Sequence, residues 1–173
     1  MFESISLQLM TPRELKAHKT APKQLSEIPA FKPQKRNKLP KPFKGLGGPR
    51  IESTGMIDVS ADHVAFMYWR DGPILSDRAF YAHLFCRLAN ESLSPIFEFH
   101  WHPSHKGFHC KTPCRTTGNY TDRMLPGAPE LSLKTKPHID PKIPADRLKL
   151  IIEFCKSTGI SLPDDDTNSR PLW

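Results

Sequence analysis

Proline sets the first limit on what this chain can fold into. Seven of its eighteen prolines lie in the first fifty residues, and each fixes φ at about −65° and removes a backbone donor, which interrupts helices and excludes central strands. Residues 11–50, TPRELKAHKTAPKQLSEIPAFKPQKRNKLPKPFKGLGGPR, add many lysines and few apolar side chains. That composition favours polyproline II and coil over a packed element. Residues 1–50 therefore read as a basic, Pro-rich arm, largely extended or ordered by a partner. Short apolar spots at Leu7, Leu9, Ile28, Phe31 and Phe43 are where it would dock on the domain or on that partner. The GLGGPR stretch marks the boundary to a domain over residues 51–162, and residues 163–173 form an acidic tail.

Charge divides the chain in the same place. The first fifty residues hold eleven Lys/Arg against three Asp/Glu, and the rest hold fourteen against fifteen. The whole basic excess thus belongs to the arm, and with it the attraction to nucleic acid or another polyanion. The opening MFESISLQLMTPRELK lacks a basic segment followed by an apolar one, and no run of 18 apolar residues occurs. A cytoplasmic protein without a membrane partner is expected, and its four cysteines read as reduced thiols or metal ligands.

Within the domain, DHVAFMYWRDGP from Asp62 is apolar on both faces and ends in a turn, the pattern of a buried central strand. SDRAFYAHLFCRLANES offers Ser76 as an N-cap and a stripe of Phe80, Leu84, Phe85 and Leu88, which predicts a helix. His83, beside that stripe, and Cys86, just off it, then read as packing or exposed residues of that helix. SPIFEFHWH, FHCK and PELSLKT alternate as strands. PADRLKLIIEFCKSTG predicts a second helix, with Pro144 in its first turn, Leu148, Ile151, Ile152 and Cys155 on one face, and Gly159 just past its end. The sum is an α+β fold: a small mixed or antiparallel sheet of about four strands, backed by two helices and preceded by the extended arm.

The most chemically loaded stretch is FEFHWHPSHKGFHCKTPC, residues 97–114, with four of the eight histidines and two of the four cysteines. Alternation puts Glu98, His100 and His102 on one face and Phe97, Phe99 and Trp101 on the other. With Ser104–Gly107 as the connection, His102 pairs with His109, Trp101 with Cys110 and His100 with Lys111. One polar surface then carries Glu98, His100, His102, His109 and Lys111, because a slip of one residue would bury His109 and Lys111.

Two chemistries suit that surface. His100, His102 and His109 could hold zinc with an open position for an activated water. A closed structural site drawing on His105, His109, Cys110 and Cys114 is the weaker variant. Without metal, the same histidines are acid–base candidates for phosphodiester cleavage. Glu98 then serves as orienter or base, Lys111, Arg115 and Arg123 as phosphate contacts, and Tyr120 as a stacking or proton-donating group. A solvated strand face without chemistry is the third reading. A serine triad is disfavoured, since no nucleophile elbow surrounds Ser104. His18, His63 and His138 lie outside the run and read as non-functional.

These features suit a nucleic-acid-directed protein, specifically a small ribonuclease of toxin-like size, with RNA as partner and no cofactor or zinc. The alternatives are a zinc-containing or non-catalytic binding module that contacts nucleic acid through its arm, and an assembly protein whose residues 1–50 are wrapped by a protein partner.

Overall fold

A computed structural model describes residues 10–103, 107–111 and 138–163. Helix α1 (Pro12–Thr20) leads, followed by the two-residue strands β1 (Lys23–Gln24) and β2 (Lys32–Pro33). An antiparallel meander then runs through β3 (Ile51–Asp58), β4 (His63–Arg70), β5 (Ala79–Arg87), β6 (Leu93–His102) and β7 (Gly107–Lys111), with β2 on the outer edge of β3. Helix α2 (Pro144–Thr158) and the short β8 (Ile160–Ser161) follow, and β8 pairs in parallel with β1. The architecture is α+β, an antiparallel sheet with two helices against it. The strand expected at PELSLKT and most of the tail lie outside the described residues.

One of the two helices is not where the pattern places it. Residues 79–87 form a central strand, paired with β4 on one side and β6 on the other, and Ser76 sits in a single 3₁₀ turn at Leu75–Asp77. The reason is arithmetic: Phe80, Leu84 and Leu88 recur every four residues, which satisfies a helix and is also a multiple of the strand period. Positions 82 and 86 decide between them. Ala82 and Cys86 join Phe80 and Leu84 on one buried face, while Tyr81, His83 and Phe85 occupy the other. Aromatic residues on both faces favour the strand once partners flank it on both sides.

The first helix comes instead from within the Pro-rich arm. Thr11 caps it: the Glu14 amide donates to Thr11 Oγ1 at 3.2 Å, the Thr11 amide donates to Glu14 Oε2 at 2.6 Å, and Pro12 occupies the first turn. This is a capping box with proline where its missing donor costs nothing. Both helices cover one face of the sheet, where Leu15 and Leu25 from the arm join Phe80, Leu84, Phe97, Phe99, Trp101, Leu150, Ile151 and Phe154 in one core. In α2 the expected boundaries hold at Pro144 and at Gly159, which adopts φ 66. Its buried stripe is Leu150, Ile151, Phe154 and Cys155, so Leu148 and Ile152 are only half-buried, one position off the expected face.

The remainder of the arm crosses the opposite face as a strap. Leu39, Phe43 and Leu46 pack on a second cluster of Val64, Phe66 and Phe85. The Phe43 ring lies 4.5 Å from Phe66 and 4.8 Å from His83, centroid to centroid. Phe31 packs at 6.3 Å from Phe80. Both proposed anchors therefore dock on the chain's own domain, and Ile28 is exposed. Phe43→Ala is expected to cost about 2 kcal/mol in chemical denaturation, the transfer and cavity terms of a half-buried ring. A loss below about 0.5 kcal/mol, within the range of ordinary surface changes, would mean that the strap does not cover the sheet in solution.

Lys23 shows how far the arm is built into the fold. It is 4% exposed, and its ammonium donates to the carbonyls of Lys19, Ala21 and Thr158 at 3.1, 2.6 and 2.9 Å. Those carbonyls lie at the C-terminal ends of α1 and α2, where a cation is favoured by the helix dipoles. Burial lowers its pKa to about 8, so it is still mostly protonated at neutral pH. Among the described residues, no helix is long and apolar enough to cross a membrane.

Candidate functional site

Strand β6 presents its two faces as alternation requires. Phe97, Phe99 and Trp101 enter the helix-side core, and Glu98, His100 and His102 fall on the strap side. The ladder to β7 pairs His100 with His109, Glu98 with Lys111, Trp101 with Phe108 and His102 with Gly107. This differs by two residues from the expected register of His102 against His109. An even slip keeps every residue on its own face, so burial pattern cannot distinguish the two registers and only the turn can. The connection is Pro103–Lys106, and Gly107 opens the returning strand. His109 and Lys111 thus hold positions beside His100 and Glu98, and their side chains lie outside the described residues.

On the strap side, one carboxylate serves two imidazoles. Glu98 Oε2 stands 3.2 Å from His100 Nε2, and Glu98 Oε1 is 3.9 Å from His83 Nδ1. The Tyr81 ring is 5.0 Å from both His100 and His102, and the latter two are 5.7 Å apart. Tyr68 stacks on Tyr81 at 4.5 Å and on His83 at 5.9 Å. Burial raises the Tyr81 and Tyr68 pKa values, with Tyr81 and Glu98 adding to the latter, so both phenols are neutral and hydrogen-bond competent. Arg70, at the end of β4, acts electrostatically on both tyrosines from the same face.

This is not a solvated strand face. His83 and His100 are 5% and 6% exposed, and His102, half-buried, is the most open of the three. A carboxylate on an imidazole orients the ring, the pairing that acid–base sites use. Sequence reasoning placed Glu98, His100 and His102 together and missed His83 and Tyr81, because it put both on a helix. Arg115, Tyr120, Arg123, His105 and Cys114 lie outside the described residues. Besides Arg70, the strap that packs on His83 through Phe43 carries the exposed cations Lys35, Arg36, Lys38, Lys41 and Lys44.

A second cluster lies at the far end of the helix-covered face. His18 from α1, His63 from the start of β4 and Cys86 from the end of β5 bring one ligand atom each to within 4.8 Å of one another. His18 Nδ1 and His63 Nε2 are 3.0 Å apart, and Ser60 Oγ is 2.8 Å from His63 Nδ1. His63 is 5% exposed, and its pKa is lowered to about 4 by burial first, then by Lys23 and His18. It is therefore a neutral imidazole. Burial, with Asp62 adding, raises the Cys86 thiol, while burial alone pushes Cys155 up to about 12. Cys86 and Cys155 are free, and both are buried, as is Cys110.

Among the described residues this is the group with metal-ligand spacing. It unites three residues read from sequence as packing or non-functional. The signal that would have revealed it is the β4–β5 ladder, which places His63 directly opposite Cys86. Compared with known proteins, the chain matches no family model, no curated protein and no solved structure.

Proposed function

We propose that the chain is a small RNA-cleaving enzyme whose site is the Glu98–His100–His102 face under the cationic strap. The observation that carries this reading is the Glu98 carboxylate 3.2 Å from a buried His100, with the half-buried His102 beside it. In the reaction, the 2′-hydroxyl oxygen bonds to the adjacent phosphorus and the P–O5′ bond breaks. A 2′,3′-cyclic phosphate and a 5′-hydroxyl result. His100, oriented by Glu98, and His102 divide the base and acid roles: one removes the 2′ proton, the other protonates O5′. Substrate approaches from the side of His102. Lys35, Arg36, Lys38, Lys41 and Lys44 supply charge to the phosphates, and no metal is needed for either proton transfer.

The test is cleavage of an RNA oligonucleotide beside the same sequence with a 2′-deoxy group at the scissile position. The RNA is expected to be cut to a cyclic phosphate and the deoxy version to remain intact. His100→Ala and His102→Ala each should lower the rate by about 10²–10⁴-fold, the usual contribution of a general acid or base, and Glu98→Gln should lower it less. Full activity in both histidine variants would remove the proposal. Neutralising strap lysines should flatten the salt dependence of RNA binding by about one unit of slope per lost phosphate contact. If wild type binds RNA in this salt-dependent way but cuts nothing, the chain is a non-catalytic binding module, the reading that the same strap supports.

A further inference from the structure

We propose that His18, His63 and Cys86 form a zinc site that ties helix α1 to the sheet. The three side chains come from three different elements and converge at one point, with ligand atoms within 4.8 Å of each other. In tetrahedral zinc, with bonds of about 2.0–2.3 Å, neighbouring ligand atoms stand roughly 3.3–3.6 Å apart. The 3.0 Å between His18 Nδ1 and His63 Nε2 needs to open by only a few tenths of an ångström to admit the ion.

The surroundings of His63 favour the same reading. A zinc-binding histidine uses one ring nitrogen for the metal and holds the other in a hydrogen bond that fixes the ring. Ser60 Oγ occupies that outer position at 2.8 Å from Nδ1, so Nε2 points toward His18. With metal bound, both His18 Nδ1 and His63 Nε2 present lone pairs to the ion, and His63 Nδ1 donates its proton to Ser60. Cys86, opposite His63 in the ladder and free, supplies a soft thiolate. Two imidazoles and one thiolate suit zinc better than magnesium or calcium, which take oxygen ligands. The nearby Lys23 ammonium opposes a second cation, but it is turned to the carbonyls of Lys19, Ala21 and Thr158. The bound thiolate offsets one of the two zinc charges. Three protein ligands leave the fourth position to water or to a further donor.

The site does not depend on the RNA-cleaving reading, and the test separates the two. Full-length protein without an affinity tag is stripped with a chelator, loaded with Zn(II) or Co(II), freed of excess by gel filtration and analysed for metal. One zinc per chain is expected in wild type and in His102→Ala, and none in His18→Ala or Cys86→Ser. His18 lies on the half-buried side of α1 and its alanine variant should keep the fold, which circular dichroism checks. Loaded with Co(II), wild type should show a thiolate-to-metal charge-transfer band that Cys86→Ser loses. Wild type that retains no zinc overturns the proposal. So does zinc that persists in folded His18→Ala, or zinc that is lost in His102→Ala while kept in Cys86→Ser, which would place the metal at the hairpin.

Discussion

A chain that starts at residue 51 is expected not to fold. The composition of residues 1–50 describes a removable arm, but Leu15 and Leu25 are 2% and 1% exposed within the main core. Truncating a buried leucine to alanine costs about 2–5 kcal/mol. Losing both therefore costs about 4–10 kcal/mol, comparable to a typical domain stability of about 5–15 kcal/mol, before anything else is counted. Deletion also uncovers both faces of the sheet, since α1 shields one and the Phe43 strap shields the other. The Lys23 cation at the ends of both helices goes with it. The deleted chain should lack a cooperative thermal or urea transition and should exchange its sheet amides rapidly. A truncated protein that unfolds cooperatively at the wild-type midpoint would mean that the arm only rests on the domain.

Why composition misled here can be traced to particular residues. The arm has few apolar side chains, yet a sheet with two open faces needs only a few well-placed ones. Leu15, Leu25, Phe31 and Phe43 are enough when each lands on an aromatic or aliphatic surface already formed by the strands. The local signal was present as well: Thr11-Pro12-Arg13-Glu14 is a capping box with proline at the first turn, and the lysine-rich context outweighed it. Strand β4 was legible because its apolar residues fill both faces and no helix of that length fits the Asp71-Gly72-Pro73 stop. Strand β5 was not, because a spacing of four serves both periods. Only its neighbours break the tie, and pairing is a tertiary fact that no window of sequence contains.

The candidate sites divide along the same line. Glu98, His100 and His102 were legible because two-residue alternation alone puts them on one face. Tyr81 and His83 complete that face only once residues 79–87 are a strand. The pairing of His63 with Cys86 likewise follows from an antiparallel β4–β5 hairpin joined by residues 71–78. His18 could not have been added from any local pattern, since its approach depends on where α1 packs. One misread element thus hid three of the residues that now define the two clusters.

Helix α2 offers the sharpest quantitative contrast. The sequence stripe of Leu148, Ile151, Ile152 and Cys155 and the observed stripe of Leu150, Ile151, Phe154 and Cys155 differ by a small rotation about the helix axis, well under half a turn. Phe154 is fully buried, with its ring 6.4 Å from Phe99 in the middle of the sheet, whereas Leu148 is half-buried near the helix start. Phe154→Ala should therefore cost about 3–5 kcal/mol, the transfer term plus a cavity that the surrounding Leu150, Phe97 and Phe99 cannot close. Leu148→Ala should cost about 1 kcal/mol, because only part of its surface leaves water. Urea midpoints of the two variants decide the rotation. Equal costs, or a larger cost at Leu148, would turn α2 back to the face that its sequence pattern favours. That rotation would carry Phe154 away from Phe99 and leave the centre of the helix-covered sheet face without its largest ring.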